Sequence, residues 1–260
     1  MIGALLGDIV GSIYEHNPIK TTQFELFGAG CRYTDESVLT VAVANAINSS
    51  EGYQYNIRKF AKNYPDVPSG YGSNFKFWLH TGGSEPYNSL GIGPAARVSP
   101  IGWAFDNLQT TLDEAEKSVL ATHAHAEAIK AARAVAHAIY LGRTGHSTAE
   151  VRVIMTELYG YNLSMELSDV RPKVEFDSSA PAVMPLALSC VFEARTTEDA
   201  IRNAVSLGGD ADTLASIAGA MAEAFFGVPD TLKQETLRRL PNAFLNVMAV
   251  FREHQSLRAG

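Results

Sequence analysis

The stretch Leu207-Gly208-Gly209-Asp210-Ala211-Asp212-Thr213-Leu214 runs directly into an alanine-rich segment that ends near Phe226. Two adjacent glycines let the backbone turn with φ > 0. Two carboxylates and a hydroxyl follow at once. Behind them Ala215, Ser216, Ala218, Gly219, Ala220, Ala222 and Ala224 form a run of small side chains, which favours close approach by a neighbouring helix. The segment therefore predicts a glycine turn feeding a helix over Asp212–Phe226 with an oxygen-rich start. A second oxygen-rich cluster, Thr34-Asp35-Glu36-Ser37, opens the apolar helical run Val38–Ile47 in the same way.

Helical periodicity extends along the rest of the chain. Ala128, Ala131, Ala132, Val135 and Ile139 recur at three and four in the run Glu127–Leu141. Further helices are predicted over Tyr55–Asn63, Leu112–Leu120, Ser147–Leu158, Val183–Glu193, Glu198–Ser206 and Pro241–Arg252. No alternating run of Val, Ile, Tyr and Thr bounded by turns reads as a strand. Leu163–Phe176 is the one stretch expected to be partly extended. Asp66–Gly102, rich in Gly and Pro, is expected to be irregular, as either a functional loop or a surface excursion. No repeat, low-complexity tract or charge block divides the sequence. The expectation is one compact all-α domain over residues 1–260, of roughly ten or more helices.

Composition narrows the function classes. Of 260 residues, 46 % are hydrophobic and 19 % charged, enough apolar material for a sizeable core. The net charge of −7 argues against general binding of nucleic acid or anionic membranes, both of which need a basic surface. Two cysteines, Cys31 and Cys190, fit neither a disulfide framework nor a zinc site, which points to a reducing, cytoplasmic setting. Asp8 interrupts the apolar N-terminal stretch, so neither a signal peptide nor a membrane span is expected. Monomer is the default expectation.

Each acidic cluster alone reads as helix capping, because Ser, Thr and Asp are favoured N-caps and acids suit a first turn. Yet one cap needs one oxygen, and each cluster supplies three. Asp, Glu and Thr are hard oxygen donors of the kind Mg²⁺ and Mn²⁺ prefer. Two such clusters at two helix starts read as the halves of one binuclear metal site.

Several motifs occur in order. Gly3-Ala4-Leu5-Leu6-Gly7-Asp8-Ile9-Val10-Gly11-Ser12 with Glu15 comes first, then Tyr33-Thr34-Asp35-Glu36-Ser37-Val38. Asn88-Ser89-Leu90-Gly91-Ile92-Gly93, Arg97-Val98-Ser99-Pro100-Ile101-Gly102, Thr122-His123-Ala124-His125 and Gly208-Gly209-Asp210-Ala211-Asp212-Thr213 follow. Together they resemble the ADP-ribosylglycohydrolase family, from Ile2 to about Pro229. The resemblance implies an all-α, orthogonal multi-helix fold and a central cleft with two Mg²⁺ or Mn²⁺ ions. It also implies hydrolysis of the bond between ADP-ribose and an acceptor, on an ADP-ribosylated protein or small molecule. By position it implies Thr34, Asp35, Glu36, Asp210, Asp212 and Thr213 as metal ligands. Glu15, Asp35 and Asp212 become the catalytic candidates, with Glu15 as general base or metal-linked residue. Ser89, Gly91, Ile92 and Gly93 fall in the loop that holds diphosphate and ribose, and His125 falls where relatives place a substrate-contacting histidine.

The sequence departs from the family pattern near the implied cleft. Glu36 stands where a second Asp is usual, Ser37 where Thr is usual, and Ile92 where Asn is usual. Ala126 follows His125 where Pro is common. Asp177-Ser178-Ser179-Ala180-Pro181 replaces a loop containing Cys and Gly. Turnover of another ribosyl or N-glycosidic small molecule, or ligand binding without turnover, are the alternative readings. Of the remaining residues, Asp8 is expected to cap or brace the first turn near Ser12, and His123 to satisfy backbone at a helix start. Arg97 is expected either to anchor a phosphate or to sit in an internal ion pair. Trp78, Trp103 and Cys31 read as core.

Overall fold

A computed structural model describes the backbone of residues 1–259 and side chains through residue 255. Among the described residues there is no strand. Two isolated bridges, Tyr87 with His123 and Gly91 with Ser179, are the extended pairings. The helices that place the site are α1 (Ile2–Gly11), α2 (Asp35–Asn48), α3 (Tyr53–Asn63), α4 (Ser73–Thr81), α5 (Gly93–Ala96), α6 (Ser99–Ala104), α7 (Leu108–Leu120), α8 (Ala126–Arg143), α9 (Thr148–Glu157), α10 (Leu167–Val170), α11 (Ala180–Phe192), α12 (Thr197–Leu207) and α13 (Ala211–Phe226). Helices α14 (Asp230–Leu237) and α15 (Asn242–Ala259) follow them.

Helix α1 is buried along its whole length. A helix that is apolar all round belongs inside a protein, and α1 serves two cores. Ala4, Leu6 and Val10 join the cluster built on α8, α11, α12 and α13. Ile2, Leu5 and Ile9 join the one built with α2, α3 and Phe244 of α15.

Three glycines one turn apart decide how α1 meets α13. A Cβ on Gly3 would lie 2.1 Å from the Gly219 carbonyl oxygen, and one on Gly7 would lie 1.9 Å from that of Ala215. A Cβ on Gly11 would lie 2.5 Å from Asp212 Cα. Backbone therefore lies on backbone, and the register runs antiparallel. The end of α1 meets the start of α13, and the small-residue face of α13 is the surface that α1 covers.

The irregular expectation for Asp66–Gly102 is corrected in part, because α4, α5 and the start of α6 lie within it. Leu163–Phe176 holds α10 and a 3₁₀ turn at Arg171–Lys173, with extended backbone at Glu166 and Val174 on either side of them. Trp78 is core as expected, while Trp103 is only partly buried.

Candidate active site

Three helix ends converge because of two local devices. The first is the glycine register, which sets the start of α13 against the end of α1. The second is Asp8, on the last turn of α1 and fully buried. Asp8 Oδ2 accepts from the backbone N–H of Thr34 at 2.9 Å and of Ser37 at 3.1 Å, and the Thr34 and Ser37 hydroxyls also donate to the carboxylate. These bonds fasten the start of α2 to the same end of α1. Burial nonetheless pushes the Asp8 carboxyl up to about 6, with the hydrogen bonds working against that rise. The expectation that Asp8 braces the first turn near Ser12 is revised, since its partners lie on the next helix and Ser12 Oγ donates to the Ile9 carbonyl instead.

The turn into α13 has the predicted geometry, with Gly208 at φ 71° and Gly209 at φ 73°. Lys20 Nζ donates to the Val174 carbonyl at 2.8 Å and to that of Leu207, tying the turn to the chain before α11. Carboxylate oxygens of Glu15, Asp210 and Asp212 all lie within 4.8 Å of one another. Glu36 enters from α2, where its Oε1 accepts from the Thr213 hydroxyl at 3.1 Å. Glu36 Oε2 is buried without a hydrogen-bond partner. Thr34 closes the α2 cap by accepting from Glu36 N–H, so neither the Asp35 nor the Glu36 carboxylate serves as that cap.

The electrostatics follow from this crowding. Desolvation, then the charge of neighbouring carboxylates, holds Asp35, Glu36 and Asp212 well above the usual carboxylate range. Desolvation also raises Asp210. Like charges that share a buried site resist ionisation unless a cation is added. The donors are all hard oxygens, and one of them, Glu36 Oε2, lacks a partner. This set fits a divalent cation such as Mg²⁺ or Mn²⁺.

The carboxylates form one wall of a cleft of about 290 Å³. Glu15, Asp35, Glu36, Asp210, Asp212 and Thr213 line it together with Ser89, Gly91, Ile92 and Gly93. The loop carrying the last four is held from both sides. Tyr87 N–H donates to the Thr122 carbonyl at 2.8 Å and Ala124 N–H to that of Tyr87 at 2.9 Å. Ile92 N–H donates to Ser178 at 2.9 Å and Ala180 N–H to Leu90 at 2.7 Å. Although Ile92 borders the cleft, its side chain is 2 % exposed and packs in the core.

Two expected residues stand outside the lining. Thr34 is buried against Asp8. His125 is the N-cap of α8, accepting from Glu127 N–H at 3.1 Å. The histidine that lines the cleft is His123, its ring 4.5 Å from that of Tyr87. Burial, with Arg97 adding to it, pushes His123 down to about 3, so it is neutral at ordinary pH. Arg97 also lines the cleft, is 1 % exposed, and donates through Nη2 to the Ser118 carbonyl and the Thr122 hydroxyl. Burial pulls it down to about 10.

Leu39, Ser69, Gly70, Gly72, Ser73, Asn74, Phe75, Tyr87 and Phe176, which the sequence does not single out, complete the lining, while Ser178 falls in the Asp177–Pro181 segment expected near the cleft. His123 is told from His125 by the start of α8. With α8 starting at Ala126, position 125 is the cap, and position 123 is free to face inward.

A family model for ADP-ribosylglycohydrolase matches residues 1–257. The mouse (Mus musculus) ADP-ribosylhydrolase ARH3 is 26 % identical over 315 aligned positions, covering 90 % of this chain and 85 % of its own. The human (Homo sapiens) ARH3 is 26 % identical over 317, covering 90 % and 87 %. A solved structure titled ADP-ribosylglycohydrolase-related protein complex superposes with a TM-score of 0.63 at 21 % identity, covering 98 % of this chain and 94 % of that one. All-α helices converging on an acidic cleft define the class, and the chain belongs to the ADP-ribosylglycohydrolase family. None of its described helices is long and apolar enough to cross a membrane.

Proposed function

We propose that this chain is a metal-dependent hydrolase that cleaves the glycosidic bond between ADP-ribose and an acceptor, acting as one domain over residues 1–260. The observation that carries the reading is the convergence of Glu15, Asp210 and Asp212 within 4.8 Å. Asp35 and Glu36 stand in the same cleft, facing a pinned glycine loop. The family and the ADP-ribosylhydrolase relatives support the substrate class.

Asp35, Glu36, Asp210, Asp212 and Thr213, with the Thr34 oxygen, would hold two Mg²⁺ or Mn²⁺ ions. When bound, such a pair supplies polarisation of water and of ribose hydroxyls. Glycosidic cleavage passes through a cation-like sugar, which a ring of carboxylates favours electrostatically. Glu15 takes the proton from the attacking water. Ser89, Gly91 and Gly93 border the diphosphate and ribose, with the Ser89 and Gly91 N–H groups donating to the Tyr87 carbonyl and the Ser89 hydroxyl and so fixing the loop's shape. Neutral His123 contacts the substrate as a hydrogen-bonding group, a role transferred from His125. The two buried free thiols suit a reducing, cytoplasmic compartment.

Turnover of ADP-ribosylated arginine and serine peptides, with and without Mn²⁺, tests the reading. Thermal unfolding with ADP-ribose, metal, and both accompanies it, because a ligand that binds only the folded state raises the midpoint. We expect release of ADP-ribose that needs metal, and a shift with metal and ADP-ribose together that exceeds either alone. Asp212→Ala should lose turnover while keeping its helical signal. Equal turnover in that variant would overturn the binuclear site.

A further inference from the structure

Among the described residues, Ser69 is the non-glycine residue with positive φ, at 57°. An L side chain there is strained, and such strain persists where the surroundings over-determine it. Its neighbour Gly70 also lies at positive φ, and Gly70 N–H donates to the Pro68 carbonyl at 2.5 Å. This tight turn has one evident result. It presents the Ser69 hydroxyl to the Glu15 carboxylate, to which it donates. The same hydroxyl lies 3.4 Å from His16 Nε2.

Glu15 needs an external anchor. It follows α1 in a run of turns and bends, with no regular element of its own to fix the side chain. Ser69 and Glu15 both line the cleft, and Glu15 is the member of the acidic group that comes from outside α2, α13 and the α13 N-cap. Glycine at position 69 would suit the backbone better but would carry no donor.

We propose that Ser69 is a positioning residue: its left-handed turn holds the Glu15 carboxylate against Asp210 and Asp212. This rests on the role given to Glu15 above. Ser69 touches neither the acceptor nor the scissile bond in this scheme and acts through Glu15.

The test pairs crystallography with a kinetic double-mutant cycle. Ser69→Gly removes the hydroxyl and relieves the backbone, so the variant folds. In its crystal structure the Glu15 carboxylate should leave the grouping with Asp210 and Asp212. Its kcat on an ADP-ribosylated peptide should fall about tenfold at unchanged KM. Ser69→Asn, which tolerates positive φ and supplies an amide donor, should recover part of that loss. In a Glu15→Gln background Ser69→Gly should cost nothing further, because both changes act on one group. An unmoved Glu15 in Ser69→Gly crystals, or an equal loss in both backgrounds, overturns the proposal. A wild-type protein that turns over no ADP-ribosylated substrate sinks the hydrolase reading alone. The crystallographic comparison then still decides for or against the role of Ser69.

Discussion

Thr213 Oγ1 donates to Glu36 Oε1 at 3.1 Å, joining the two acidic clusters across 177 positions of chain. The longer reach of Glu, at a position where the family pattern has Asp, brings its carboxylate to α13. Glu36 is 7 % exposed and its second oxygen has no partner, so this hydroxyl is the bond that orients it. Thr213→Val keeps the shape and removes the donor. We expect the loss of about 1–3 kcal/mol that accompanies an orphaned buried polar group. Mn²⁺ affinity should weaken about tenfold, the equivalent of about 1.4 kcal/mol. Thermal unfolding and Mn²⁺ titration followed by electron paramagnetic resonance read the two effects. A variant with wild-type midpoint and wild-type Mn²⁺ affinity would remove the bond from the site.

The raised carboxylates fix the direction of a pH effect. Asp8 stands near 6 against an ordinary 3.8, and Asp35, Glu36 and Asp212 are shifted the same way by burial and mutual repulsion. A carboxyl whose folded pKa is raised contributes stability that is complete below its unfolded pKa and is lost as pH rises through the folded value. In the metal-free protein this loss is expected from about pH 4, through the Asp8 value near 6, and onward above it. A cation requires the ionised forms, so binding releases protons and strengthens as pH rises. The increase in melting temperature on adding Mg²⁺ should therefore be larger at pH 8 than at pH 5.5, at equal metal and ionic strength. An equal or smaller increase at pH 8 would mean that the carboxylates are not what the metal binds.

Those carboxylates were legible in the sequence because they exceed what capping requires. Helices α2, α8 and α13 were legible because apolar positions recur at three and four. Helix α1 was not, for a physical reason. Buried on every side, it has no polar face to set a period, and Gly3, Gly7 and Gly11 lower its intrinsic propensity. Its glycines make sense only once α13 is laid against them. Helix α4 is short, lies between glycines and carries exposed Phe77 beside buried Phe75 and Trp78, so its pattern is blurred. The choice between His123 and His125 depended on where α8 begins, a boundary that residue types alone leave loose. Ser69 was invisible, because a φ of 57° at serine leaves no mark in the sequence.

The glycine register makes α1 the part that transmits packing to chemistry. A Cβ on Gly7 would lie 1.9 Å from the Ala215 carbonyl oxygen and 2.8 Å from Ser216 N, which are backbone atoms that cannot swing aside. Gly7→Ala must push α1 and α13 apart. Overpacking of this kind costs about 1–3 kcal/mol, less whatever alanine gains in helix propensity. The adjacent Asp8 should move with its helix, so metal affinity should fall together with stability although no ligand is altered. Ala220→Gly is the control. It also changes a buried α13 residue between alanine and glycine but forces no new atom against α1. Gly7→Ala with wild-type metal affinity would show that the α1–α13 contact and the metal site are independent.

Ile92 tests where the cleft ends and the core begins. Family resemblance alone suggests that restoring asparagine, Ile92→Asn, should add a substrate contact and tighten ADP-ribose binding. The geometry says otherwise for this chain. Ile92 is 2 % exposed and packed in the α8–α11–α13 core, while its backbone N–H is committed to Ser178. Asparagine would lose the buried apolar surface of an isoleucine, about 1.5–3 kcal/mol, and would place an amide among aliphatic groups at a further cost of about 1–3 kcal/mol. We expect Ile92→Asn to lower the melting temperature clearly and to leave ADP-ribose affinity unchanged or weaker. Calorimetric titration of the folded variant with ADP-ribose, below its melting temperature and with Mg²⁺ present, separates the two readings. Tighter binding at little loss of stability would mean that position 92 turns outward when ligand enters, and that the loop from Ser89 to Gly93 reads the substrate with side chains as well as backbone.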